Sequence, residues 1–147
     1  MYQRALAGKE QALGPDHPST LNTVNNLGLL YADQGKLGEA ERMYQRALVG
    51  YEKALQPETI PALNTVSNLA RLYREQGKMN EAEKMFQRVI MGRKKVLGSD
   101  HPDTLKVVNE LNELSLVVEV KGNEGQKSLR RRDRLKSLLR LKSSRAD

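Results

Sequence analysis

The chain has 147 residues, of which 38% are apolar and 4% aromatic, with a mean hydropathy of −0.66. That leaves too little apolar matter for a deep globular core, while a thin array burying one stripe per helix stays within reach. Cysteine is absent, which excludes disulfides, thiol nucleophiles and cysteine-type zinc sites; the net charge of +7 sits wholly in residues 121–147, where ten Lys/Arg stand against three Asp/Glu, the rest of the chain holding fifteen of each.

The opening run Met1-Tyr2-Gln3-Arg4-Ala5-Leu6 lacks the apolar stretch of a secretory signal. Nowhere do the roughly 20 consecutive apolar residues of a bilayer span occur. A soluble, cytoplasmic protein is expected. The same run returns as Met43-Tyr44-Gln45-Arg46-Ala47-Leu48 and as Met85-Phe86-Gln87-Arg88-Val89-Ile90, each time after 42 residues. Residues 14–55 laid over 56–97 without a gap agree at 21 of 42 positions, among them Leu21/Leu63, Asn22/Asn64, Gly35/Gly77 and Ala40/Ala82. An internal repeat of this kind sets the organisation: a partial repeat at 1–13, full repeats at 14–55 and 56–97, a partial repeat at 98–120, and a basic tail at 121–147 that is either flexible or a capping helix.

In chain order, the first helix is predicted over 1–13 and ends at Gly14. The segment Gly14-Pro15-Asp16-His17-Pro18-Ser19-Thr20 returns as Gly98-Ser99-Asp100-His101-Pro102-Asp103-Thr104. Pro in the first turn of a helix loses nothing, because that N–H would be unpaired anyway. The next helix, A, is predicted over 19–34 with Leu21, Val24, Leu27, Gly28 and Tyr31 in one arc at about 100° per residue. Gly35 stops it by taking the left-handed conformation, and Gly77 does the same one repeat later. Helix B is predicted over 38–55, with Glu39 and Glu41 at the positive end of its dipole and a buried stripe of Ala40, Met43, Tyr44, Ala47, Leu48 and Tyr51. The pair repeats over 61–76 and 80–97, and a last helix A is predicted over 103–119. The unit then fails, because Glu124, Lys127, Ser128 and Arg131 stand where the stripe of a helix B would require Ala, Met, an aromatic and Ala or Val.

Helix pairs carrying Leu27-Gly28-x-x-Tyr31, then Ala40, an aromatic at 44 and Ala47, resemble the tetratricopeptide (TPR) pattern. The 42-residue period, the Gly-x-Asp-His-Pro-x-Thr link and the Asn-Asn-Leu-Gly and Ser-Asn-Leu-Ala segments are similar to the longer repeat of kinesin light chains and of the TPR tails on some signalling ATPases. The resemblance covers about residues 1–119. It implies an all-α, right-handed superhelix of antiparallel helix pairs whose A helices line a concave groove for peptides or partner proteins. No heptad region of a kinesin light chain and no phosphate-binding Gly-x4-Gly-Lys-Ser/Thr loop accompanies the repeats.

On helix A a second arc holds Asn22, Asn25, Asn26, Leu29, Ala32 and Asp33, with repeat mates Asn64, Ser67, Asn68, Arg71, Arg74 and Glu75, then Lys106, Asn109, Glu110 and Glu113. The resemblance places this arc on the groove. An Asn amide both donates and accepts, so Asn22, Asn25, Asn26, Asn64, Asn68 and Asn109 could grip the main chain of an extended peptide, or could bond to the adjacent helix instead. Arg71, Arg74 and Lys106 could select acidic side chains, or pair with Glu75, Glu110 and Glu113. His17 and His101 read as turn residues, since a metal site or general base needs further ligands or an orienting partner. No catalytic motif, cofactor loop or metal cluster is expected, so an enzyme is not.

The expected partner is a protein or peptide, with acidic side chains if the basic trio selects it. The tail, rich in Arg and Lys from Lys127 to Lys142, offers nucleic acid or an anionic membrane surface as a second partner. Alternatively, Leu135, Leu138 and Leu139 share a side that would cap the last repeat. Because Met1 occupies the place of Met43 and Met85 in mid-array, a further alternative is a truncated fragment of a larger TPR-containing signalling protein. Ala5, Leu6 and Leu13 are then expected to be exposed and the uncapped ends to self-associate.

Overall fold

The computed structural model describes residues 1–54 and 58–143, with side chains to residue 137. Six α-helices account for nearly all of it: α1 (Tyr2–Leu13), α2 (Pro18–Asp33), α3 (Leu37–Lys53), α4 (Ile60–Glu75), α5 (Met79–Leu97) and α6 (Pro102–Ser143). No strand occurs among the described residues. The expected helix end at Leu55, the link residues Gln56 and Pro57, and the side chains of Leu138 and Leu139 lie outside the described part.

The turns are built as the repeated link segments require. At the start of α2 the imidazole Nδ1 of His17 accepts from the Ser19 N–H (3.1 Å), and His101 does the same for Asp103 N–H ahead of α6 (3.2 Å). Both histidines are thus helix caps, satisfying one of the first-turn donors that have no partner within a helix. Thr20 Oγ1 donates to the Gly14 carbonyl (2.8 Å) and Thr104 Oγ1 to the Gly98 carbonyl (3.0 Å), so the hydroxyl clasps the end of one helix to the start of the next. At the other turn Gly35 and Gly77 sit at φ 74° and 78°, and the N–H groups of Lys36 and Lys78 reach back to the carbonyls of Tyr31 and Tyr73 at 2.8 Å. A side chain at either glycine would be strained there.

The chain divides into two units, Met1–Asn112 and Glu113–Asp147. In the first, α2 packs on α3 and α4 on α5 as antiparallel hairpins, with α1 against α2 and α3 against α4. One core cluster joins Leu6, Leu21, Val24, Leu27, Ala47, Tyr51 and Ala62; the next joins Ala40, Tyr44, Leu69 and Leu72. Leu6 is therefore buried, contrary to the expectation of an exposed first helix, because it faces α2; Ala5 and Leu13 are exposed. Hairpin packing is close. A Cβ on Gly28 would lie 2.7 Å from the Tyr44 ring, and Gly50 and Gly92 lie against the Leu21 and Leu63 side chains. Neighbouring B helices are joined by ion pairs in the same register, Arg46 with Glu10 and Arg88 with Glu52 (2.9 Å).

The second unit is the rest of α6, which runs to Ser143 with no break at residue 120. Gly122 and Gly125 do not end it; no proline follows Pro102, and Leu, Arg, Lys, Glu and Gln supply favourable helix propensity around them. Every described side chain from Ser115 to Ser137 is exposed, Leu129 and Leu135 included.

Candidate functional site

Successive A helices bring the predicted arc together in a cleft of about 490 Å³ crossing α2, α4 and the start of α6. Its walls include Asn22, Asn25, Asn26, Asn64, Asn68, Arg71 and Lys106. Arg74 and Asn109 do not line it. Asn109 is exposed, whereas its repeat mates Asn25 and Ser67 are buried.

Part of the amide ladder is already engaged. Asn25 is 7% exposed and its Oδ1 accepts from Asn68 Nδ2 at 3.1 Å, so these two link α2 to α4. Asn68 Oδ1 in turn accepts from Arg71 Nη1 (3.4 Å). The Arg71 guanidinium forms a forked pair with Glu110, Nε and Nη2 donating to its two oxygens at 2.8 and 2.7 Å. Burial pushes the Glu110 carboxyl up, but the hydrogen bonds and charge of Arg71, helped by Arg74 and Lys106, outweigh it and hold the group below the ordinary carboxylate range. The Glu110 hydrogen bonds push the Arg71 guanidinium up against the pull of burial. Arg71 is therefore a structural tie between α4 and α6 before it is a guest-binding cation. Asn22, Asn26 and Lys106 line the cleft with no side-chain hydrogen bond or ion pair to other described residues.

Two further residues complete the floor. Arg93, from helix B of the second full repeat, is 7% exposed; its Nη2 donates to Asn64 Oδ1 and its Nη1 to the Asp103 carbonyl, both at 2.8 Å. Burial depresses this guanidinium, and its Nε and the Ser67 hydroxyl, also buried and also on the wall, have no hydrogen-bond partner among the described residues. A sequence signal for Arg93 exists: it stands where Tyr51 stands one repeat earlier, a cation breaking an otherwise apolar stripe. The cleft is thus a polar trough with uncommitted amides along one wall and two cations, Arg93 and Lys106, not matched by a forked carboxylate. It can offer hydrogen bonds to an extended main chain and a positive field to what that chain carries.

No group of three or more His, Cys, Asp or Glu among the described residues is placed to hold a metal, and no described helix is long and apolar enough to cross a membrane.

Two family models, both described as tetratricopeptide repeat, match residues 1–53 and 63–103, together well over half of the chain. A search of curated proteins finds no match. Among solved structures, the nearly identical TPR-like repeats assigned to a kinesin light chain of Podosopora anserina are 27% identical. They superpose with a TM-score of 0.71 over 77% of this chain and 54% of theirs. BtubC (BKLC) from P. vanneervenii is 22% identical with a TM-score of 0.73, covering 79% of this chain and 46% of its own, a likeness of fold. The chain spans about half the length of these structures.

Proposed function

Since the chain belongs to the tetratricopeptide repeat family, in its kinesin-light-chain-like form, whose repeats generally mediate protein–protein interaction, we propose that it is a binding module holding an extended peptide segment of a partner protein in the cleft across α2, α4 and α6. The observation that carries this reading is the wall of amides: Asn22 and Asn26 line the cleft with no side-chain hydrogen bond to other described residues, which is what main-chain recognition needs. Arg93 and Lys106 favour a guest with acidic side chains. The role is that of a scaffold, not of an enzyme, and its place is the cytoplasm. The test is a displayed peptide library selected on the chain, followed by anisotropy titration of a selected peptide. Asn22→Ala with Asn26→Ala is expected to weaken binding roughly tenfold or more, on the scale of one or two lost hydrogen bonds, with helicity unchanged. Equal affinity for the double variant would reject the groove.

A second reading is favoured by one observation. Lys127, Arg130, Arg131 and Arg134 recur at i, i+3, i+4 and i+7 on an exposed helix, a continuous cationic stripe able to lie along phosphates of nucleic acid or an anionic membrane surface. Binding of this kind should fall steeply with salt and vanish on removing residues 127–147; retention by the shortened chain would exclude it.

A further inference from the structure

The B helices α3 and α5 carry a pattern that the cleft does not use. Grooves of about 490 and 420 Å³ run beside them, and seven of the positions lining the first line the second 42 residues on. On α3 the lining residues Arg42, Val49 and Lys53 stand seven and then four residues apart. At 100° per residue they fall within about 40° of one another on the helix, and at 1.5 Å per residue they spread over about 16 Å. Lys84, Met91 and Lys95 repeat the set on α5. Val49 is 49% and Met91 64% exposed, so each groove holds an aliphatic side chain in water between two cations. The B-helix packing does not demand this, since α1 has Ala7 and Gln11 at the places of Val49 and Lys53.

The groove beside α5 is open with the neighbours of that helix in place on both sides: Arg88 meets Glu52 of α3, and Arg93 meets the Asp103 carbonyl at the start of α6. Its opening is therefore a property of the repeat and not of either end of the chain. Both linings are cationic, the first with Arg42, Arg46 and Lys53 against Asp16, the second with Lys84, Arg88 and Lys95 against Glu58. Residues 1–120 as a whole hold as many acidic residues as basic, so this face gathers a local excess. Arg46, Arg88 and Lys95 are in ion pairs, whereas Arg42, Lys53 and Lys84 are in none among the described residues. Exposed pairs of this kind are worth little, so a carboxylate from outside can replace the internal one at small cost.

We propose that this face is a second binding surface, on which an acidic amphipathic helix of a partner protein lies along α3 and another along α5. The lining fixes the occupant. An aliphatic side chain is needed to cover Val49 or Met91, with carboxylates seven residues to one side of it and four to the other to meet the bracketing cations. A helix presents that spacing on one face for the same reason that α3 does. None of these residues lines the cleft, so the surface is independent of the peptide reading and both sites can be filled at once. Two seats in the same register favour a partner presenting two such helices, because the first to bind holds the second close to its groove.

Amide NMR of the full isotope-labelled chain tests this, because it detects weak binding and locates it. The probe is a synthetic alanine-based helix with one central Leu and a Glu seven residues before and four residues after it. Saturable shifts are expected along α3 and α5 around Val49 and Met91, with none at Asn22 and Asn26. They should weaken as salt is raised from about 0.02 M to about 0.5 M, where screening is strong. Replacing the Leu of the probe by Ser should weaken binding roughly tenfold, on the scale of one aliphatic side chain left in water. Arg42→Glu with Lys84→Glu sets like charges opposite the probe and should weaken it roughly tenfold or more. Both positions are exposed, so the double variant folds, as circular dichroism will show. Retained affinity in that variant, equal affinity for the Leu and Ser probes, or no saturable shift on α3 and α5 overturns the surface. Shifts confined to Asn22, Asn26 and Arg93 overturn it too while supporting the cleft, whose own peptide titration is separate.

Discussion

Gly92→Ala is expected to change the sign of its effect with the residue opposite it. A Cβ at Gly92 would lie 2.5 Å from Leu63 Cδ2 and 2.9 Å from Cδ1, and Leu63 is 1% exposed, so its side chain has little room to withdraw. Overpacking of this kind costs about 1–3 kcal/mol, and the better helix propensity of Ala returns about 1 kcal/mol, for a net loss of about 1 kcal/mol. Leu63→Ala alone should cost about 3 kcal/mol through lost burial and the cavity left behind. In that background the new methyl has space, only the propensity gain remains, and Gly92→Ala should stabilise by about 1 kcal/mol. The double-mutant cycle then gives a coupling of about 2 kcal/mol. Gly8→Ala is the internal control: it shares the register but meets nothing within 4 Å, so it should stabilise by up to about 1 kcal/mol on propensity alone. Urea unfolding followed by far-ultraviolet circular dichroism measures all four variants. If Gly92→Ala has the same sign whether residue 63 is Leu or Ala, the close hairpin packing does not set the tolerance of the glycine.

Arg71→Met should cost about 1 kcal/mol at neutral pH, the forked pair being discounted for the partial exposure of the guanidinium. Glu110 is held below the ordinary carboxylate value in the folded chain, so its contribution is present above about pH 4.3 and is lost as pH falls through the folded value. The gap between wild type and Arg71→Met in pH-dependent melts should therefore close toward acid, and a gap that widens would refute the pairing. Arg93→Tyr, restoring the residue of position 51, should leave stability within about 1 kcal/mol while weakening an acidic peptide in the anisotropy titration; unchanged affinity would remove Arg93 from the site. His17→Ala removes the cap on Ser19 N–H and should lower stability by about 1 kcal/mol, read from the urea midpoint.

The period of 42 residues is enough to read the helices and most of the core, because a duplicated stripe such as Leu21/Leu63 or Ala40/Ala82 can be compared with itself. Thr20, Thr65 and Thr104 give no such sign of being interior although all are fully buried; a hydroxyl that bonds a nearby carbonyl leaves no apolar signature. Asn25 belongs to the groove arc by its angle on the helix, yet its amide is spent between α2 and α4, since position 25 falls on the edge between two faces and the approach of the next A helix decides which it joins. Arg71 is legible as a cation on the right face, but its fork to Glu110 spans 39 residues and no local pattern records it. The helix through residues 121–143 is hidden because failure of the repeat stripe signals only that no helix B forms there; it does not forbid helix A from continuing.

The Glu-to-Arg step that links α1 to α3 and α3 to α5 divides the molecule into a part that spends its polar groups on itself and a part that keeps several in reserve. At each junction one carboxylate of a B helix meets one guanidinium of the next, so a change at that pair is felt by the architecture. Asn22 and Asn26 make no side-chain hydrogen bond to other described residues, and selection can rewrite them at little structural penalty. If the cleft holds the peptide proposed above, a lineage carrying this scaffold is free to exchange one guest for another while the frame stays as it is.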